Sequence, residues 1–516
     1  MNYAIAVLDI GKTNKKVAIY DDAMKPLVAR KRKIETIRLR NYDDAGDIDV
    51  EDIDGIENWF LEELKKLATR YPIRVISIST HGASLVCVDA EGRPSVPPLP
   101  YTHEVPSDVH ERFWAAMGNP HEIQTSTATA EIKPLVNAAK LLWYQKERWP
   151  TEFERTQYIL FFPQYFGYRL TGKVGADITY VGAHSYLWDF ANHDWSSVVD
   201  ELRVRRMLPK VPRTPESGLG ELKADVAAAT GLSPDTQVTL GIHDSNSSLI
   251  PYLISQERDF VLNSTGTWCV AMHPVAEVAF SPDELGKMVF YNLSYRGTPV
   301  KTSILLGGLE YSVYTEALMK HHRREDWPEY NPAVYEQILA DSQVFILPGV
   351  IPGTGQFPNS VARVVEGNRV YLVDDLNQEN NWPHAFDDYS VGFALANLSL
   401  AIQSSIALKR VGLESGTELY IEGGFRQNSN YRALLSALLP ENPIFLTALV
   451  EASIFGAALC GKALMDAVSV ESLKNYVALD KIAVKPLRLD GLQCYTRIFT
   501  ALLLKEGEHN IEGEAH

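Results

Sequence analysis

Near the middle of the 516-residue chain stands the run His243-Asp244-Ser245-Asn246-Ser247-Ser248, whose side chains are of the kinds that hold and move protons. The apolar stretch Val238-Thr239-Leu240-Gly241-Ile242 before it reads as a buried strand, and a helix is expected to begin at Asn246-Ser247. A side chain at such a strand-to-helix turn projects into a crevice rather than into a core. Asp244 there has the chemistry of a general base, able to take a proton from a hydroxyl. Its plainer role is a helix N-cap, for which Asp is favoured. His243 and Ser245 on either side favour the reactive reading, because three polar side chains then converge after an apolar strand.

Two glycine turns flank this run at a distance and supply what such a base would work with. In Gly11-Lys12-Thr13-Asn14-Lys15-Lys16, the glycine permits close backbone approach, successive N–H groups form an anion nest, and three lysines add charge. Position 6 is Ala, so the GxxxxGK[ST] pattern of a P-loop is absent. Asp9, at the end of the strand before the turn, has the chemistry to orient a Mg²⁺-bound water or to bond turn amides. The second turn, Asn263-Ser264-Thr265-Gly266-Thr267-Trp268, is rich in hydroxyls and suits hydrogen bonds to phosphate oxygens. Each turn alone also suits an ordinary hairpin. Together with a central carboxylate, they form the layout of a phosphotransferase.

Further candidates lie at strand ends. His81-Gly82 closes the apolar run 74–80 and faces the same crevice on this reading. Tyr101 and His103 stand in the proline-rich stretch 94–107, which excludes regular helix and central strand. Gly423-Gly424 end a strand and let a flat ring lie against backbone, with Asn428 just beyond.

The elements that must position these groups follow from periodicity. Residues 3–35 read as three short strands, 55–71 as an amphipathic helix and 74–80 as a buried strand, which predicts a mixed sheet with antiparallel strands on one side. Helices are expected at 133–150, 161–172, 218–232, 307–320 and 451–465, with the longest amphipathic one at 391–412. Residues 321–332 read as a polar surface connection and 345–360 as loop. Gly11 and Gly266 open comparable blocks half the chain apart, so the chain reads as a duplicated α/β domain. Its predicted parts are 1–248, 249–505 and a frayed polar tail at 506–516.

The formal charge of −16 argues against nucleic acid or an anionic membrane as partner, since both need a basic face. Cys87, Cys269, Cys460 and Cys494 fit neither a zinc site nor a disulfide framework, and packing is the reading for each. The N-terminus starts straight into a strand, so a cytoplasmic protein is expected.

LDIGKTNKK, the His81-Gly82 pair, GIHDSN, NSTGTW, EGGFRQN and EASIFGAAL occur in the order found in FGGY-type carbohydrate kinases, over roughly residues 3–467. The chain most resembles the rhamnulokinase and fuculokinase branch, which carries HD[ST] and S-x-G-T-W patterns. The resemblance implies two duplicated actin-like (ribonuclease H-like) ATPase domains with a cleft between them. It puts the sugar mainly on the first domain and ATP, with Mg²⁺, on the second. Asp244 would be the proton acceptor, with Gly82, His243 and Ser245 at the sugar, to which the reading above adds His81, Tyr101 and His103. Gly11, Lys12, Thr13, Asn14, Lys15, Thr267 and Gly424 would contact ATP, with Gly266, Gly423 and Asn428 beside them. The expected activity is ATP-dependent phosphorylation of a primary hydroxyl on a neutral ketose, with L-rhamnulose or L-fuculose favoured. No Lys or Arg stands among the sugar residues, so a charged sugar would be left unpaired. Alternatives are a xylulose or ribulose kinase, an actin-like assembly ATPase, or a sugar-binding regulator. A homodimer is left open.

Overall fold

The computed structural model describes residues 1–513 apart from 13, 44, 45, 133–135, 211, 282, 283, 377–380, 448 and 450; side chains at 41, 43, 375 and beyond 504 are not described. In the first half, β1 (Ala4–Ile10) is buried at every position, as a central strand covered on both faces must be. It pairs antiparallel with β2 (Asn14–Asp21), which pairs antiparallel with β3 (Pro26–Lys33). Helix α1 (Ile53–Ala68) follows, capped by Asp52 accepting from the Gly55 amide at 2.9 Å. The chain returns as β4 (Ile73–Thr80), parallel to β1. The antiparallel edge strand β5 (Gly218–Glu221), β6 (Gln237–Thr239) and the short β7 (Ile242–His243) complete the sheet. Its order is β5-β6-β4-β1-β2-β3, with β7 also pairing β4. The sheet is therefore mixed, with the antiparallel meander on one side as the sequence implies. The expected strand at 238–242 is interrupted at Leu240-Gly241, where Gly241 adopts φ of +90°.

Helix α2 (Asp244–Ser255) leaves the first sheet and leads to β8 (Phe260–Thr265), β9 (Cys269–Pro274), β10 (Val289–Leu293) and β11 (Pro299–Leu305). Helices α3 (Gly307–His322) and α4 (Tyr389–Arg410) cross before β12 (Glu418–Gly423), β13 (Ile444–Thr447), α5 (Ala452–Asp466) and β14 (Lys481–Ala483). The second sheet runs β10-β11-β9-β8-β12-β13-β14. An antiparallel meander, two parallel strands and an antiparallel edge thus recur in the same order, and α5 follows β13 as α2 follows β6 and β7. This is the duplication expected from the two glycine turns.

The two halves share a core. Ile5, Val7 and Val75 of the first sheet pack with Leu249 and Tyr252 of α2, with Leu262 and Tyr420 of the second sheet, and with Ile454 and Leu459 of α5. Helices α2 and α5 cross where a Cβ on Gly456 would lie 1.9 Å from the Ser247 carbonyl oxygen, so only glycine fits. Pro251 inside α2 lacks the N–H that would otherwise bond that carbonyl.

Several sequence expectations are corrected. Helix α4 is buried nearly all round rather than amphipathic: its Asn397 bonds the Tyr311 hydroxyl at 3.1 Å, and its Gln403 bonds buried Glu310 at 3.1 Å. Polar positions that look outward in sequence are paired inside. Although α4 is long and apolar enough to cross a membrane, almost all of it is enclosed by protein. The 133–150 helix is Ala138–Arg148, and a strand, Val344–Leu347, takes the start of the 345–360 loop, while 218–232 does hold a helix, Ala224–Thr230. The described part of the tail, to Gly513, continues the helix Leu492–Gly513; residues 514–516 lie outside the described residues. Cys87, Cys269 and Cys460 are buried, while Cys494 is exposed on that helix.

Candidate active site

Asp244 is the first residue of α2 rather than its cap, which is His243. Its Oδ1 accepts from the Ser245 amide at 2.6 Å and lies 3.4 Å from His243 Nε2. The His243 ring is fixed from both sides. Asn246 Nδ2 reaches the Thr179 carbonyl at 3.4 Å and His243 Nδ1 at 3.0 Å, so Nδ1 accepts and the imidazole proton sits on Nε2, toward Asp244. The His243 amide donates to Thr179 Oγ1 at 3.2 Å, and Thr179 in turn donates to Asp177, the cap of the single helical turn Ile178–Val181. A Cβ on Gly82 would stand 2.8 Å from His243 Nε2, so the expected glycine is what lets the ring occupy its place. Tyr180 ties the chain after β4 to this arrangement: its hydroxyl bonds the carbonyls of His81 and Ser84, each at 2.9 Å.

Three cavities follow one another past Asp244. The first, about 290 Å³, lies between the halves. Lys12, His81, Gly82, Tyr101, His184, His243, Asp244 and Ser245 come from the first half, and Trp268, Phe290, Asn292, Thr302 and Ile304 from the second. The next, about 260 Å³, is walled by Asp244, Ser245, Ser248, Ser264, Glu422, Gly423 and Glu451. The third, about 500 Å³, is bounded by Gly266, Gly308, Tyr311, Trp327, Gly424 and Asn428 among others. Among the described residues, Asp244 and Ser245 alone border both the first and second cavities. Gly423 and Gly424 carry the wall from the second to the third. Gly423 has φ of +78°, and a Cβ there would meet the Thr265 carbonyl oxygen at 1.8 Å. Gly308 is constrained in the same way by the Gly266 carbonyl oxygen at 2.1 Å.

This two-sheet arrangement has known counterparts. Residues 4–251 match the N-terminal domain of the FGGY family of carbohydrate kinases, and residues 257–469 match the carbohydrate kinase FGGY C-terminal domain. The chain belongs to the FGGY carbohydrate kinases. A rhamnulokinase from Halalkalibacterium halodurans is 24% identical over 285 residues, a stretch that spans 52% of this chain and 55% of that enzyme. A carbohydrate kinase from Novosphingobium aromaticivorans superposes with a TM-score of 0.75 at 25% identity, covering 98% of this chain and 99% of that one. A gluconate kinase from Lactobacillus acidophilus superposes with a TM-score of 0.76 at 15% identity over 99% of this chain and 98% of its own, which speaks for the fold alone. This chain is accordingly an ATP-dependent sugar phosphotransferase of that family, which uses ATP with Mg²⁺.

The electrostatics of the FGGY kinase site are acidic. Burial raises Asp244 to about 6, opposed by the hydrogen bonds from Ser245. Asp9, almost fully buried, is raised to about 7, first by burial and then by the charge of Asp244. Lys16 reaches Glu451 at 2.5 Å across the cleft, and Glu422 is raised to about 7 by burial despite accepting from Tyr252. A divalent cation suits this place, because it would relieve the repulsion between Asp9 and Asp244. No three acidic, His or Cys side chains are grouped to hold a metal alone among the described residues. The fit is thus to a Mg²⁺ brought in on ATP phosphates.

The kinase fold places the expected residues unequally. His81, Gly82, Tyr101, His243, Asp244 and Ser245 gather on the first cavity. His103 does not: it packs on the Tyr144 ring at 5.7 Å. Lys12, read from sequence as an ATP contact, lines the first cavity instead, 5.2 Å from the Tyr101 ring centre and paired with buried Glu51 at 2.8 Å. Lys15 turns back on its own hairpin, donating to the carbonyls of Gly11 and Lys12 at 3.1 and 2.9 Å, so its ammonium is unavailable to phosphate. Gly11 and Asn14 flank that hairpin, whose strands meet at Ile10 and Lys15. Thr13 lies outside the described residues. Gly266 and Thr267 are exposed at the second hairpin. Asn428 borders the third cavity, yet its amide is committed: Oδ1 caps the helix Ser429–Leu438, while Nδ2 bonds Asn397 and Tyr311. The sequence reading missed Glu51, His184, Phe290 and Asn292, which no motif marks.

Proposed function

We propose that this kinase transfers the γ-phosphate of ATP to a primary hydroxyl of a neutral ketose, with Asp244 as general base. The observation that carries the reading is the position of Asp244 and Ser245, the residues that border both the first cavity and the one beside it. With the sugar in the first cavity and the phosphates in the second, the hydroxyl proton passes to Asp244 as its oxygen attacks phosphorus. The bond to the bridging β-phosphate oxygen breaks, and ADP leaves. His243, kept neutral by burial, directs its Nε2 proton toward the carboxylate and holds it in place. Asp9, close enough to feel the charge of Asp244, would hold Mg²⁺ on the phosphates, where the ion would offset their negative charge.

The neutral character of the sugar is supported by Lys12. It is the one cation on the first cavity among its described lining residues, and Glu51 already neutralises it. A carboxylated or phosphorylated sugar would bury an unpaired charge at a cost of several kcal/mol. Three unpartnered buried atoms, His81 Nε2, His184 Nδ1 and Asn292 Oδ1, belong to lining residues and suit hydroxyl groups. Ile132, Val136, Phe290 and Ile304 form an apolar end that fits the methyl of a deoxy-ketohexose, favouring L-rhamnulose or L-fuculose. The test is ADP release with L-rhamnulose, L-fuculose, D- and L-xylulose, D-ribulose, glycerol and gluconate. The highest kcat/KM is expected for a deoxy-ketohexose. A pentulose in first place overturns that choice, and gluconate in first place overturns the charge argument.

A further inference from the structure

The loop after α3 reads in sequence as polar surface, but it carries Trp327 to the mouth of the third cavity with 57% of its surface exposed. Leaving that much of a Trp in water forgoes one of the larger apolar gains available to a side chain. The residue is not needed to anchor its loop. The Tyr389 hydroxyl bonds the Asp326 carbonyl at 2.6 Å, Asn430 Nδ2 bonds the Pro328 carbonyl at 2.8 Å, and Ser429 Oγ bonds Glu329 at 2.5 Å. These bonds fix the indole where it stands. One face is backed by the Tyr311 ring, stacked at 5.7 Å and 25°, and the Phe393 ring meets it edge-on at 5.8 Å. Tyr311 is itself held by Asn397 and set edge-on against Phe425 at 5.4 Å. Gly424 also lines the cavity; the nearest atom to a Cβ added there is 4.0 Å away, so no side chain competes for that space. A rigid, backed and exposed aromatic face, a bare glycine and a cavity of about 500 Å³ are what a flat heteroaromatic ring requires.

We infer that Trp327 is the stacking platform for the adenine ring of ATP in this kinase. The inference rests on the third cavity being the nucleoside end of the ATP site. It assigns the ring's affinity to a side chain from the loop rather than to the hydrogen-bonding groups of Asn428. Stacking of a base on an aromatic side chain supports a ten- to hundredfold gain in affinity.

The test uses the full chain without sugar, so that it does not depend on which sugar is phosphorylated. Calorimetry would compare ATP with inorganic tripolyphosphate, which has the charge but no ring. Trp327→Ala is expected to weaken ATP ten- to hundredfold and leave tripolyphosphate unchanged, while Trp327→Phe recovers most of the loss. ATP should also quench wild-type tryptophan emission, and most of that quench should vanish in Trp327→Phe. Equal losses for ATP and tripolyphosphate in Trp327→Ala, or ATP binding that is indifferent to the substitution, would overturn the inference while leaving phosphoryl transfer and Asp244 untouched. Failure of wild type to bind ATP at all would overturn both.

Discussion

As the proposed base, Asp244 would combine three demands on one side chain: to face the sugar, to stand beside the phosphates and to be ionised. About a third of the side chain is exposed to the cleft, yet surrounding protein raises it to about 6. Asp244→Asn is expected to lower kcat by on the order of 10² or more while nucleotide affinity stays near wild type. Wild-type turnover in that variant would show the carboxylate to be only structural. The rate of the wild-type enzyme should fall as pH drops through about 6 to 7, where Asp244 and its neighbour Asp9 take up protons. Stability should run the other way. Both groups have folded values raised above their unfolded ones, so their contribution is fully present below about pH 4 and is lost as pH rises through 6 to 7. Asp9→Asn should therefore raise Tm relative to wild type at pH 8 and leave it little changed at pH 4. An equal shift at both values would remove the buried charge as its cause. At this scale the sequence was informative where chemistry and backbone coincide. His81, Gly82, His243 and Asp244 sit at strand ends, and strand ends open on the cleft. Where Lys12 and Lys15 reach was not legible, because a lysine stem of four carbons does not reveal, from its place in a turn, which way it points.

Among the elements, the crossing of α2 and α5 is a narrow fit. Gly456 rests on the Ser247 carbonyl, and Ser247 Oγ donates to the Ser453 carbonyl at 2.6 Å. Gly456→Ala would push the helices apart and is expected to cost about 1–3 kcal/mol, read as a lower midpoint in urea. It should also lower kcat, because α2 carries Asp244 at its first residue. An unchanged midpoint would mean the crossing yields without loss. The strands and hairpins were legible because continuous apolar runs such as Ala4–Ile10 alternate with glycine turns. Helix α4 was misjudged for a physical reason: Asn397 and Gln403 carry the polarity of an outer face but find partners from α3 inside the protein. The loop holding Trp327 is exposed as its polar sequence implies, and its charged residues hide that Trp327, Pro328 and Glu329 line a cavity.

For the whole molecule, the first cavity takes residues from both sheets, and the Lys16–Glu451 pair spans the cleft at 2.5 Å. Sugar and nucleotide together should therefore draw the halves inward about the connection between them, which follows α2. Small-angle scattering with a non-hydrolysable ATP analogue and the best sugar should show a smaller radius of gyration than the free protein. An unchanged radius under saturating ligands would refute a moving hinge there. The duplication was visible in sequence only as two glycine turns half a chain apart, since the recurring strand order is a property of pairing.

The core shared between the halves bears on what the chain can survive. Each half has a large apolar core of its own, but Ile5 and Val75 from one side and Leu262 and Tyr420 from the other meet around α2 and α5 in a third core that neither half completes alone. A nick in the short connection between α2 and β8 would leave two fragments that each expose a broad greasy face. Made separately, such fragments would clump. Made together, they would cover that face against one another and rebuild the enzyme.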